Sequence, residues 1–291
     1  MTLQKNRKAA SEGGMKIIGT IRVCWVAMLV SGLVLMTGCA GSIETVIPAQ
    51  MPEVFPGFLL GYLPPKAAPN SDVLLPAPPA KDSTAFAFDQ DTFLKTRALV
   101  NTPRWTLASK DANLKFPRAP EAFSCALNFP LTEGSTPHLY MILRRTLTDA
   151  VFATLAAKNH YNRTRPFVAN QAVSCTPHEE PDLAREGSYP SGHSSTGWAW
   201  ALILAEIAPD RADAILKRGH AFGQSRVICG VHWQSDVEAG RIIGAAVVAK
   251  LHSDPVFRAQ VEAARKELAE GRAKGLGPAN DCNAESAALA Y

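Results

Sequence analysis

The stretch of sequence that decides the fold is residues 193–208, which read His-Ser-Ser-Thr-Gly-Trp-Ala-Trp-Ala-Leu-Ile-Leu-Ala-Glu-Ile-Ala. Almost every side of this stretch is apolar in a helical projection, a pattern typical of a helix buried at the centre of a bundle. Two more helices are expected at residues 210–227 and 233–251. In the second of these, Gly240 and Gly244 share one face, where a neighbouring helix can approach closely.

The rest of the chain also favours helices. Residues 138–160 contain neither proline nor glycine, and residues 83–128 look like short helices broken by prolines. Asp254-Pro255 is a cap and first-turn pair, and Gly275 ends the helix that follows. One face of that helix is apolar, formed by Phe257, Val261, Ala264 and Leu268. No run alternates clearly as a strand, so the predicted fold class is all-α, a single-domain helical bundle.

The first 39 residues are typical of an export signal. Basic residues precede the mostly apolar run Val23–Met36, and small residues surround Cys39. The residues that lead up to Cys39 also resemble a bacterial lipoprotein box, and Met15 is an alternative start. The other interpretation is a retained membrane anchor, because the uncharged stretch Val23–Ile43 is just long enough to span a bilayer.

The net charge of the 291 residues is +4, and the whole excess lies within residues 1–39. Residues 40–291 are formally neutral, so overall charge gives no reason to expect nucleic acid or an anionic membrane as a partner. We expect a proline-rich extended arm at 40–82, a helical domain that carries the activity at 83–275, and a C-terminal tail at 276–291.

Four cysteines lie outside the signal, and an exported protein meets an oxidising compartment in which disulfides form. The sequence leaves all three pairings open. No two of the four have C-x-x-C spacing, which argues against a zinc site. They are Cys125, Cys175, Cys229 and Cys282.

Three polar segments carry residue types suited to phosphate chemistry. In the first, residues 158–166, Lys158 provides a point charge and Arg165 a planar donor fork for phosphate oxygens. The alternative interpretation is an ordinary solvated helix end, since basic residues are common in last turns.

The second segment, Ser191-Gly192-His193, stands directly before the buried helix. A helix N-terminus offers unpaired N–H groups to an anion, and a glycine there lets a ligand approach the backbone. His193 could then give a proton to a leaving oxygen. The alternative is a plain serine cap.

The third segment combines Arg226, His232 and Asp236. His232 and Asp236 are four residues apart and would share one face of a helix. The carboxylate could accept the imidazole N–H, which fixes the tautomer and leaves the other ring nitrogen free to attack. The alternative is a surface His–Asp pair.

Together the segments form the pattern Lys, six residues, Arg-Pro; then Pro-Ser-Gly-His; then Ser-Arg, five residues, His, three residues, Asp. This pattern resembles the signature of the phosphatidic acid phosphatase type 2 superfamily, which includes class A bacterial non-specific acid phosphatases, lipid phosphatases and vanadium haloperoxidases. Residues 101–104, 187–195 and 223–236 resemble the class A acid phosphatases in particular. The likeness covers residues 72–270, with one departure at Asn159, where aspartate is expected.

The resemblance implies a secreted acid phosphatase that hydrolyses phosphate monoesters with broad specificity through a phosphohistidine intermediate, without a metal ion. It implies that His232 attacks phosphorus, that Asp236 orients His232, and that His193 protonates the leaving alcohol and then activates water. His193 must be protonated while His232 is neutral, so the two imidazoles need different environments and we expect an acid pH optimum. The implied phosphate ligands are Lys158, Arg165, Ser191, Gly192 and Arg226.

The resemblance also implies a bundle of the acid phosphatase/vanadium haloperoxidase type, a homo-oligomer and no cofactor, and the export signal implies a periplasmic location. The implied partners are small phosphomonoesters and inorganic phosphate, with no nucleic acid and no membrane contact beyond a lipid anchor at Cys39. Three other functions would use similar residues. A membrane lipid phosphatase needs several apolar spans, which the sequence beyond residue 43 lacks. A vanadium haloperoxidase would bind vanadate at His232, and a phosphate-binding protein without activity would lack the nucleophile or the acid.

Overall fold

The computed structural model describes residues 51–278 and 280–290. The predicted signal and its alternatives at residues 1–43 therefore lie outside the described residues. A small antiparallel hairpin comes first, β1 (Glu53–Phe55) and β2 (Phe58–Leu59). The helices follow: α1 (Ser71–Leu74), α2 (Thr84–Thr96), α3 (Pro103–Asp111), α4 (Ser124–Leu127), α5 (Pro137–Phe152), α6 (Leu155–Tyr161), α7 (Pro166–Ala169), α8 (Glu180–Leu183), α9 (Gly192–Ile207), α10 (Ala212–Ile228), α11 (Gln234–Leu251), α12 (Pro255–Ala273) and α13 (Cys282–Leu289).

Helix α9 is the centre of the bundle, as its sequence predicts. It packs against α5, α10, α11 and α12, and the buried Trp200 donates from Nε1 to the carbonyl of Leu143 on α5 at 3.0 Å. A Cβ on Gly240 would lie 2.5 Å from the carbonyl oxygen of Ser191, and one on Gly244 would lie 2.4 Å from that of Ser195. Both distances are shorter than any real contact, so the two glycines let α11 lie directly on the backbone of α9.

Most of the other predicted helices are confirmed. Asp254 caps α12, its Oδ1 accepting from the backbone N–H of Phe257 at 2.8 Å, and the predicted apolar face of α12 is buried. Gly275 follows that helix with a left-handed φ of 73°. Within the described residues, no helix is both long enough and apolar enough to cross a membrane.

The structure differs from the prediction in three places. The helix expected over 138–160 is two helices, since the Thr154 hydroxyl donates to the carbonyl of Val151 at 2.7 Å and competes with the helical ladder. The arm contains a hairpin, which reverses at Gly57 with a φ of 84° and is too short to show an alternating pattern. In the C-terminal segment, α13 is tied to α4 by the disulfide Cys125–Cys282.

A buried carboxylate fastens the arm to α5. Asp149 accepts from the backbone N–H groups of Tyr62 at 2.9 Å and Leu63 at 3.1 Å. One turn away, Arg145 donates to the carbonyls of the arm, including that of Gly61 at 2.7 Å. Burial raises the pKa of Asp149 from 3.8 to about 6, although both N–H groups and Arg145 oppose the rise.

We expect Asp149→Asn to flatten the pH dependence of stability between about pH 4 and pH 7. A carboxyl with a raised folded-state pKa favours the folded state most below pH 3.8, and this contribution is lost as the pH rises through 6. The loss is on the order of 3 kcal/mol. Thermal unfolding across this range measures it. The variant lacks one acceptor and should be less stable at every pH, so the test is the slope of stability against pH. Parallel curves for wild type and variant would contradict a raised pKa of Asp149.

Candidate active site

The three polar segments meet where the ends of several helices converge. Arg226 lies in the last turn of α10, which ends at Ile228. The chain then turns at Gly230, with a φ of 83°, and the backbone N–H groups of Val231 and His232 both donate back to the carbonyl of Arg226. This turn fixes the nucleophile candidate beside the end of α10. Helix α11 begins only two residues later.

His232 is buried, with 2% of its surface exposed. Its Nε2 lies 3.1 Å from Nη1 of Arg165. A guanidinium only donates hydrogen bonds, so in neutral His232 the proton is on Nδ1 and Nε2 has the free lone pair. Nδ1 in turn lies 3.5 Å from Oδ2 of Asp236. The tautomer is therefore the one that leaves Nε2 able to attack.

The sequence argument for this pair was wrong in one respect. His232 and Asp236 do not share a helix face, because His232 precedes α11 and Asp236 lies in its first turn. The pair forms across the turn, where Oδ2 of Asp236 also accepts from the backbone N–H of Trp233 at 2.8 Å. Burial raises the pKa of Asp236, and the charge of Arg163 is the main opposing influence.

His193 is anchored by a backbone carbonyl. Its Nε2 lies 2.9 Å from the oxygen of Ala112, at the C-terminal end of α3. Because a carbonyl only accepts, Nε2 bears the hydrogen and Nδ1 is the nitrogen left to exchange a proton. Burial lowers the pKa of His193 well below its ordinary value, with Arg226 as the next cause. The pKa of His232 is lowered in the same way by burial and by Arg165. The sequence analysis expected different environments for the two imidazoles, but their pKa values are lowered in the same direction and mainly by the same cause.

Arg226 is the most unusual residue of the site. It is fully buried, and none of its three guanidinium nitrogens has a hydrogen-bond partner among the described residues. Burial lowers its pKa to about 10, and the charge of Glu179 opposes this without a hydrogen bond to it. A buried cation left without a partner costs several kcal/mol. The guanidinium therefore favours the binding of an anion beside it.

Two further cations face the same space. The half-buried Lys158 donates from Nζ to the carbonyl of Gly187 at 2.8 Å, and burial together with Arg165 lowers its pKa to about 8. Arg165 is more fully engaged, since it donates to the carbonyls of Leu183 at 2.7 Å and Val231 at 3.0 Å. Its contact with His232 places one arm of the fork beside the nucleophile candidate.

The N-terminus of α9 closes the site. Ser191 caps the helix, and its Oγ accepts from the backbone N–H of Ser194 at 3.2 Å and from the hydroxyl of Ser194 at 3.0 Å. Both contacts use Ser191 as an acceptor, so its own hydrogen is available to an anion. A Cβ on Gly192 would meet only Oγ1 of Thr154, at 3.8 Å. Packing within the described residues does not require a glycine at 192.

The structure thus brings every predicted site residue to one place. The two histidines and the cations influence one another's pKa values, and the backbone N–H of Ser191 donates to the carbonyl of Asp236 at 2.9 Å, which joins two of the segments. A tetrahedral dianion fits this charge pattern, with a nucleophilic nitrogen on one side and a proton donor on the other.

Sequence reasoning missed two residues behind His232. Arg163 donates from Nη1 to Oδ1 of Asp236 at 2.7 Å and from Nη2 to Oδ2 of Asp89 at 2.8 Å. Arg163 lies inside the first polar segment, and Asp89 is a buried acid between the phenylalanines of α2, whereas Asp91 in the same helix is exposed and pairs with Lys95. Those two features were the available signals, but neither indicates that the residues meet.

Other polar regions of the described chain lack these properties. A cavity of about 950 Å³ lies between α3 and α13, but its buried charges are paired, with Arg218 donating to Asp111. Among the described residues, no group of three or more His, Cys, Asp and Glu side chains is arranged to hold a metal ion.

Comparison with known proteins gives consistent results. A family model described as the PAP2 superfamily matches residues 138–258. The non-specific acid phosphatase of Providencia stuartii is 44% identical over 237 residues, which cover 80% of this chain and 96% of that protein. That of Salmonella typhimurium is 40% identical over 228 residues, covering 78% and 86%. A bacterial vanadium-dependent iodoperoxidase structure matches 70% of this chain and 63% of its own at 18% identity, with a TM-score of 0.45, too low to bear on activity.

We expect Gly192→Ala to keep the fold but weaken phosphate binding by about tenfold, or about 1.4 kcal/mol. The added methyl group meets no protein atom closer than 3.8 Å, whereas it would crowd an anion at the N-terminus of α9. Calorimetric titration with inorganic phosphate measures the affinity, and thermal unfolding measures the stability. Gly240→Ala is the matched control for an added methyl group that the packing cannot accommodate. Its Cβ would lie 2.5 Å from a backbone oxygen, so this variant should have a lower melting temperature. Unchanged phosphate affinity in Gly192→Ala would exclude an anion at this backbone.

Proposed function

Because this chain belongs to the non-specific acid phosphatases of the PAP2 superfamily and is a phosphomonoester hydrolase, we propose that it cleaves small phosphate monoesters with broad specificity through a phosphohistidine intermediate, without a metal ion or cofactor. The observation that carries this proposal is the buried guanidinium of Arg226, which has no hydrogen-bond partner among the described residues. A phosphoryl group supplies the negative charge that this cation needs.

In the first step, Nε2 of His232 attacks phosphorus and the bond from phosphorus to the ester oxygen breaks. The Nδ1 proton of His232 faces Asp236, whose negative charge stabilises the positive charge that forms on the ring. His193 donates a proton from Nδ1 to the leaving oxygen, so the alcohol departs neutral. The lowered pKa of His193 makes it a strong acid once protonated, and a bound phosphate dianion favours that protonation.

In the second step, the neutral His193 accepts a proton from water, and the resulting hydroxide attacks phosphorus. The bond between phosphorus and Nε2 breaks, which releases inorganic phosphate and restores His232. Phosphoryl transfer requires mainly positioning and charge on the equatorial oxygens. Lys158, Arg165 and Arg226 supply three positive charges, which take the place that Mg²⁺ has in other phosphatases.

The pH dependence follows from these groups. Burial holds the pKa of His193 well below its ordinary value. The protonated form that donates to the leaving oxygen is therefore favoured only in acid. At the other end, Lys158 loses its charge above about pH 8. We therefore propose that activity is highest in acid and that phosphate affinity falls on the alkaline side, where Lys158 loses its charge.

We expect purified protein to hydrolyse p-nitrophenyl phosphate between pH 4 and 8 in the presence of EDTA, with a maximum in the acid range. His232→Ala should lose at least about 10³-fold in kcat, because the nucleophile is absent. Wild-type protein incubated with ³²P-labelled p-nitrophenyl phosphate and quenched in alkaline denaturant should carry label that mild acid then removes, as expected of an N–P bond, and His232→Ala should take up none. Loss of activity with EDTA would refute the metal-independent mechanism, and an active His232→Ala would refute the phosphohistidine.

We also propose that the protein is exported to the periplasm by residues 1–39 and acts there as a homo-oligomer, with no membrane contact beyond a lipid anchor at Cys39. The disulfides Cys125–Cys282 and Cys175–Cys229 support an oxidising compartment. Mass spectrometry of protein from the periplasmic fraction should find an N-terminus at Cys39 or Ala40. An intact signal in membrane-bound protein would favour the retained anchor instead.

A further inference from the structure

We propose that Arg163 and Asp89 are positioning residues that hold the Asp236 carboxylate in place behind His232 and thereby set the tautomer of the nucleophile. This inference rests on the proposed function, because it assigns a role in the attack by His232. It concerns residues at none of the fixed positions of the three-block pattern: Arg163 is one of the six residues between Lys158 and Arg165, and Asp89 lies in α2.

Arg163 fills the space on the far side of Asp236. Its Nη1 donates to Oδ1 of Asp236 and to Oγ of Ser235, both at 2.7 Å. This contact occupies the oxygen that does not face His232, so Oδ2 stays directed at Nδ1 and at the N–H of Trp233. The guanidinium lies 5.5 Å from the ring of Trp233 and 5.8 Å from that of Phe86, which limits its movement.

Asp89 holds Arg163 in turn. Its Oδ2 accepts from Nη2 of Arg163 at 2.8 Å and from the hydroxyl of Ser235 at 2.5 Å. Its Oδ1 accepts from the backbone N–H of Ser235 at 2.8 Å, in the first turn of α11. The Asp89 side chain is 1% exposed and that of Arg163 9%, so water competes little with these bonds.

The chain of contacts has a chemical consequence at His232. An ionised Asp236, with Oδ2 3.5 Å from Nδ1, favours hydrogen on Nδ1, as does the backbone of Ser188, and so leaves the Nε2 lone pair free. A protonated Asp236 would offer a donor to Nδ1 and favour hydrogen on Nε2, which blocks attack. Burial alone raises the pKa of Asp236, and Arg163 is the largest opposing charge. Removal of Arg163 should therefore delay ionisation of Asp236 to higher pH.

Several other charged or titratable groups influence Asp236, and none replaces Arg163. Lys158 and Arg165 act on it from the phosphate side, where a bound phosphoryl group neutralises them. His232 faces Oδ2 of Asp236. The pKa of Tyr189 is raised by burial and then by the charge of Asp236, so these two groups also interact. Arg163 is the cation in direct ion-pair contact with Asp236 among the described residues.

The test compares wild type with Arg163→Met, Arg163→Lys and Asp89→Asn. For each protein, kcat and KM on p-nitrophenyl phosphate are measured from pH 4 to 9, with the inhibition constant of inorganic phosphate. Arg163→Met should lower kcat about 100-fold and move the acid limb of kcat to higher pH. Arg163→Lys should recover part of both effects, since it restores the charge without the fork, and Asp89→Asn should shift in the same direction by less. Phosphate inhibition should change less than about threefold, because Arg163 contacts none of the phosphate ligands.

Arg145→Lys is the control for loss of a buried arginine. Arg145 holds the arm to α5, so this variant should lose stability in thermal unfolding without any shift of the acid limb. If Arg163→Met does not fold, the shifts in Arg163→Lys and Asp89→Asn decide. An unshifted acid limb in folded variants, or a parallel loss of phosphate affinity, overturns the positioning role. An inactive wild type or an active His232→Ala overturns the proposed function instead.

Discussion

The buried guanidinium of Arg226, which has no hydrogen-bond partner among the described residues, imposes a free-energy cost that the packing around it must offset. Among the described residues, other buried arginines are matched: Arg218 pairs with Asp111, Arg104 donates to Ser225, and Arg145 donates to backbone carbonyls. Arg226 alone of these has three unsatisfied nitrogens. Such a group persists only if the surrounding fold is stable enough to bear its cost. The tightly packed helices α9, α10 and α11 supply that stability, and an anion relieves the cost when it binds.

Backbone hydrogen bonds give the site its precision. The N–H of Ser191 donates to the carbonyl of Asp236, and the N–H groups before α11 donate to the carbonyl of Arg226. The end of α10 is held from outside, where Arg97 donates to the carbonyl of Ile228 at 2.5 Å. The disulfide Cys175–Cys229 ties the loop after α7 to the same point. Main-chain contacts of this kind are stiffer than side-chain contacts, so the catalytic groups are positioned before any ligand arrives.

The environment of the two histidines is governed by burial more than by their neighbours. Burial is the first cause of the lowered pKa of both His193 and His232. Their roles differ through hydrogen bonding instead: a carbonyl keeps hydrogen on Nε2 of His193, while Arg165 keeps it off Nε2 of His232. One imidazole therefore has Nδ1 free to exchange a proton, and the other has the lone pair of Nε2 free. In the proposed mechanism this difference in hydrogen bonding, together with the charge of a bound ligand, assigns the acid–base roles.

The amino-acid sequence alone predicts the central helix, the caps at Ser191 and Asp254, the glycine face of α11 and the residues of the candidate anion site. These features depend on local periodicity or on a spaced pattern, both of which are visible in one dimension. Only the tertiary structure decided the disulfide pairing, the break between α5 and α6, and the turn rather than helix face that joins His232 to Asp236. It also decided that Asp89 and Arg163, 74 residues apart in the chain, meet behind the nucleophile. No local pattern encodes such contacts, because they arise from how α2, α11 and the segment before α7 pack together in three dimensions.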